Sequence, residues 1–106
     1  MKLNDYQIQA NRTAIYPEGL NYPILGLAGE AGELCNKYKK IIRDKEGEAD
    51  INDIDQLAQE LGDVLWYVAQ IATELGTDLE TVARENIMKL GDRKDRGVLG
   101  GSGDNR

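Results

Sequence analysis

Two pairs of carboxylates stand at the same spacing in this chain, Glu30 with Glu33 and Glu60 with Asp63. Members of each pair are three residues apart, so on a helix they share one side. With Ala31 and Leu61 set at position a of a heptad, Glu30 and Glu60 fall at g, and Glu33 and Asp63 at c. Acids therefore occupy matched places beside two apolar stripes. Packed antiparallel, the two segments would aim four negative groups at one another. Such groups repel in a partly dry groove, and their ionised forms are costly to desolvate. A divalent cation relieves both problems. Mg²⁺ takes hard oxygen ligands, usually one or two carboxylates completed by waters and substrate phosphates, and Mn²⁺ suits the same donors. One acidic pair alone would be an ordinary solvated face; two in matching register favour a metal site.

Glycine is threaded through the first pair, in the stretch GLAGEAGEL (residues 26–34). Inside a helix each glycine costs about 0.8–1.0 kcal/mol relative to alanine. The reason expected for Gly26, Gly29 and Gly32 is space: bare backbone leaves room beside the helix for metal, water or substrate.

Composition narrows the remaining chemistry. Histidine is absent, which removes Ser-His and Cys-His nucleophilic catalysis and the Glu-x-x-His ligands of di-iron bundles. The lone Cys35 offers neither an intrachain disulfide nor a zinc pair. A net charge of −6 argues against general nucleic-acid binding, which needs Lys and Arg on phosphates, yet permits a small phosphorylated ligand whose charge a metal offsets. No apolar run approaches the ~20 residues of a membrane span. The opening MKLNDYQIQANR lacks a secretory hydrophobic segment. A reduced, cytoplasmic setting is expected, with no membrane partner.

At 106 residues, 41% apolar and 30% charged, the chain suits one modest globular domain. Its periodicity predicts an all-α fold of four helices and no strand. The first covers residues 4–15 and ends before YPEGLNYP, a loop by its prolines and glycine. The second covers residues 23–45, with Pro23 in the first turn. Asn52 or Asp53 is expected to cap the third, which runs to residue 75 and stops at Gly76. Thr77 and Glu80 fit a capping box opening the fourth, which continues to about residue 96. Residues 97–106 form a glycine-rich tail, expected to be flexible unless a ligand or a second subunit orders it.

GLAGEAGEL followed by ELGDVLWYVA resembles the MazG-like all-α nucleoside triphosphate pyrophosphohydrolases, and the likeness covers nearly the whole chain. That family's signature is Glu-Glu-x-x-Glu, a spacer, then Glu-x-x-Asp. Glu30, Glu33, Glu60 and Asp63 match its last four acids, while Gly29 stands where the first would be. The resemblance implies a four-helix bundle over residues 1–96, completed by oligomerisation as a homodimer or a dimer of dimers. It implies metal ligation by those four acids, with Glu30 as the general base. It also implies phosphate contacts from the later ENIMKLGDRKDRG, through Asn86, Lys89 and Arg93. Their spacing of three and four independently puts them on one side of the last helix, where arginine and lysine suit phosphate oxygens. Basic residues near a helix C-terminus also complement the macrodipole without any ligand.

Tyr67 lies one heptad after Glu60 and shares its side, so a base or sugar contact is expected there. Trp66 points elsewhere, toward the first helix or a second subunit. Lys37 and Lys40 extend the acidic side by a turn and read best as a solvated face. The activity expected is Mg²⁺-dependent hydrolysis of a (deoxy)nucleoside triphosphate to monophosphate and pyrophosphate. Two alternatives remain open. One is a metal-dependent hydrolase of another phosphorylated metabolite, such as a phosphoribosyl compound, nucleotide-sugar or alarmone. The other is a non-catalytic helical oligomerisation module.

Overall fold

A computed structural model describes all 106 residues as four helices without a strand. They are α1 (Leu3–Asn11), α2 (Asn21–Lys45), α3 (Ile51–Glu74) and α4 (Leu79–Asp95). Helix α2 packs along α3; α1 lies on α3 and α4, and α4 meets only α1 and the end of α3.

Local chemistry sets the boundaries, and several differ from the sequence expectation. Helix α1 ends at Asn11, not residue 15, because the Thr13 hydroxyl and amide both bond to the Ala10 carbonyl, at 2.7 and 3.0 Å, and tighten the chain into a turn. Helix α2 starts two residues earlier than expected, with Pro23 still in its first turn, where no N–H is missed. It closes on Glu46 and Gly47, both in the left-handed region, as the Gly47 amide bonds back to the Ile41 carbonyl.

The cap of α3 is Asp50 rather than Asn52 or Asp53. Its carboxylate accepts from the Asp53 amide at 2.8 Å, and the Asp53 carboxylate accepts from the Asp50 amide at 3.0 Å. Lys45 bridges both acids, which ties the end of α2 to the start of α3. Helix α3 stops as expected before Gly76, whose φ of 74° suits glycine. For α4 the cap is Asp78, accepting from the Thr81 amide at 2.7 Å. The expected Thr77 box does not form: the Asp78 carboxylate is the cap, and the Thr77 carbonyl accepts from a distant side chain.

That side chain is Gln7. Its amide nitrogen donates to Thr73 Oγ1 at 3.1 Å and to the Thr77 carbonyl at 3.0 Å; its oxygen accepts from the Leu79 amide at 2.7 Å. One buried amide thus ties α1, the end of α3 and the start of α4. Around it Ala10, Ala69, Ala72 and Leu79 form a small core, flanked by Tyr6, Trp66 and Val68. Trp66 lies on the α1 side, its indole N–H donating to Thr13 Oγ1 at 2.8 Å.

Gln70 contrasts with Gln7. It is fully buried, yet neither end of its amide finds a protein partner. Leaving a buried amide unpaired costs about 1–3 kcal/mol.

The core of the single chain is thin. Only nine of 106 residues are buried, and the radius of gyration is 16.7 Å, against about 13 Å for a compact domain of this length. The apolar stripes of α2 and α3 are wider than their mutual contact. Leu27, Leu34, Ile41, Leu57 and Val64 are at least partly covered, whereas Ile24, Tyr38, Ile42, Ile54 and Leu61 stay exposed.

Candidate active site

Antiparallel pairing of α2 with α3 fixes which side chains meet. Gly26 lies against Tyr67, Glu30 is grouped with Glu60 and Asp63, Lys37 is paired with Glu60, and Lys45 with Asp53. Ascending along one helix is descending along the other.

One carboxylate oxygen each from Glu30, Glu60 and Asp63 lies within 4.8 Å of the other two. Glu30 and Glu60 are half-buried; Asp63 is open to solvent. Burial first, and then the negative charges of Asp63, Glu60 and Glu33, hold the Glu30 carboxyl above its ordinary value near 4.5. Three carboxylates brought this close, with all-oxygen donors and an open side, fit a hard divalent cation. Glu33 stands outside the trio and is exposed. The reason is rotational: Glu30 and Lys37 share one heptad position at the edge of α2 that meets Glu60, and Glu33 lies further round the same flank, away from the stripe.

Lys37 Nζ lies 2.9 Å from Glu60 Oε1. That hydrogen bond is the main reason the Lys37 ammonium is held above its ordinary range. Its spacing of one heptad from Glu30 was a usable sign of this pairing.

The three glycines divide. A Cβ on Gly26 would overlap the Tyr67 ring, so this glycine serves close packing rather than ligand space. At Gly29 and Gly32 an added Cβ would meet nothing within 4 Å, which keeps the acid-bearing edge of α2 clear.

Beyond the acids lies an aromatic cluster. Tyr16 and Tyr22 stack with centroids 5.1 Å apart, Trp66 stands edge-on to Tyr67 at 5.0 Å, and Tyr22 faces Tyr67 at 6.3 Å with a tilt of 39°. Burial, a hydrogen bond with Tyr22 and then the charges of Glu30 and Asp63 push the Tyr67 hydroxyl up. Tyr67 thus adjoins both the trio and the rings. A cleft of about 310 Å³ opens here, walled by Tyr16, Tyr22, Trp66 and Tyr67. Tyr16 and Tyr22 come from the YPEGLNYP segment, which carries no periodicity that would reveal their stacking.

Asn86, Lys89 and Arg93 lie on α4, which does not touch α2. Arg93 is buried beneath the tail: its guanidinium donates to the Asp104 carbonyl at 2.7 Å and reaches the Asp104 carboxylate at 3.4 Å. Lys89 is 3.6 Å from the same carboxylate, and Asn86 is exposed. Within one chain this basic stretch and the acidic trio are separate.

Residues 21–98 match the MazG nucleotide pyrophosphohydrolase domain. The chain belongs to this family. The match begins at the start of α2 and ends beyond α4, so the MazG region contains the trio, Tyr67 and the basic helix, but not α1. "Gene 37 protein" of Mycobacterium phage L5 is 54% identical over 114 aligned positions, covering 100% of both chains. No solved structure gives a match. No helix of this MazG protein is long and apolar enough to cross a membrane.

Proposed function

We propose that this MazG-family chain hydrolyses a (deoxy)nucleoside triphosphate to the monophosphate and pyrophosphate, using Mg²⁺ in a cytoplasmic setting. The observation that carries the reading is the convergence of Glu30, Glu60 and Asp63 within 4.8 Å across two antiparallel helices. Those three would hold the metal, with Glu33 as the further acid of the motif. When bound there, Mg²⁺ supplies charge neutralisation at the phosphates and eases deprotonation of water.

The chain's own groups do the rest. Glu30 takes the proton of the attacking water, the role that the motif gives it. The water oxygen bonds to the α-phosphorus, the bond from that phosphorus to the bridging oxygen breaks, and pyrophosphate leaves. Tyr67 places its ring where a base or sugar would lie. Asn86, Lys89 and Arg93 bind phosphate oxygens; because α4 lies away from α2, a second copy of the chain brings them to the acids. Homodimers or dimers of dimers would also cover Leu61, Ile54 and Ile42, which one chain leaves exposed.

A nucleotide panel with Mg²⁺ or Mn²⁺, scored separately for phosphate and pyrophosphate, tests the proposal. Equimolar monophosphate and pyrophosphate, lost on Glu60→Gln or Asp63→Asn, is the expected result. Orthophosphate alone would place attack elsewhere in the phosphate chain. Turnover of no nucleotide would overturn the reading.

A further inference from the structure

Glu60, Asp63, Tyr67 and Gln70 follow one another at steps of three, four and three, a single line along α3. Three of the four already belong to the site described above. The fourth is the fully buried side chain whose amide nitrogen and oxygen both lack a protein partner. Native structures pair nearly all such groups, and an exception calls for an explanation. This chain pairs the equally polar Gln7 completely, so an unpaired glutamine is not its habit.

Position suggests what the amide is for. Gln70 lies seven residues beyond Asp63, about 10 Å along the helix axis, the order of the separation between phosphate and base edge in one nucleotide. The pairing of Gly26 with Tyr67 puts Gln70 level with Pro23, next to Tyr22. Tyr22 is half exposed and, with Tyr67, walls the cleft of about 310 Å³. Gln70 itself is not on the cleft wall, so a base reaches it only once the Tyr22 ring leaves its stack on Tyr16.

We infer that Gln70 is a specificity-determining residue, reading the edge of a nucleobase that enters beside Tyr22 and Tyr67. A glutamine amide presents one donor next to one acceptor, and pairs with a base edge that offers the complementary two. Aromatic rings grip any base; the amide discriminates among them. This rests on the proposed nucleotide reading, and adds the residue that selects within that class.

The test is binding of non-hydrolysable α,β-imido nucleoside triphosphates of each base, with tripolyphosphate as the baseless control, in Mg²⁺. Wild type and Gln70→Leu are compared by calorimetry, with Gln70→Met as the second variant should Leu impair folding. The expected result is a spread in Kd across bases of about tenfold or more in the wild type, flattened in the variant, with tripolyphosphate affinity unchanged. An unchanged base ranking in a folded variant, with only a higher Tm, would overturn the assignment of Gln70 and leave the nucleotide reading standing. Wild-type protein that binds no nucleotide better than tripolyphosphate would overturn both.

Discussion

Each carboxylate of the trio is worth something different, and substitution separates them. Glu30 is both half-buried and repelled by its neighbours, so Glu30→Gln relieves repulsion in the metal-free protein. Its Tm without metal should stay level or rise, while turnover falls by about 10²–10⁴ as for loss of a general base; thermal melts and steady-state kinetics check the two halves. The glycines give a second contrast. Gly26→Ala pushes the Tyr67 ring out of place, and overpacking of this kind costs about 1–3 kcal/mol. Gly29→Ala meets no atom and gains about 0.8–1.0 kcal/mol of helix propensity. Denaturant melts should show opposite signs. Much of this was legible beforehand, because carboxylates three apart beside an apolar stripe must share a side. Glu33 and Gln70 were not. Heptad position says which side a residue takes, but the small rotation that leaves Glu33 in water and Gln70 dry depends on how the two helices roll against each other.

At the scale of helices, caps decide where chemistry is held. Backbone amides donate to Asp50 and Asp78, and this lowers both carboxyls below their ordinary value of 3.8. A carboxyl depressed in the folded state adds stability that is complete above its unfolded pKa and is lost as pH falls through the folded one. Thermal stability should therefore decline between roughly pH 5 and pH 2, and Asp78→Asn should flatten that decline, as read by circular dichroism. Thr77→Ala should lower Tm less than Asp78→Ala does, since Thr77 contributes its carbonyl and not its hydroxyl. Sequence located all four helices but misplaced two caps by one to three residues. Thr77, Asp78, Asn52 and Asp53 are all good capping residues; at α4 the Asp78 carboxylate takes the Thr81 amide, and at α3 the Asp50–Asp53 exchange forms the cap.

The whole molecule is open. One chain by itself leaves two half-covered stripes, a radius of gyration of 16.7 Å and a basic helix remote from the acids, as a protomer of a larger particle would. Sedimentation should give at least twice the 11.8 kDa of the chain. Leu61→Asp, which charges the exposed side of α3, should shift the protein toward monomer and reduce turnover together. Apolar periodicity could not announce this, since it marks what must be covered without saying by which chain. Gln7 has its own consequence at this scale. A single side chain near the beginning of the polypeptide clamps the start of the last helix, so α1 and the α3–α4 turn are mechanically linked. A bulky amino-terminal fusion that displaced α1 would therefore be felt at the α3–α4 turn, seventy positions along the chain.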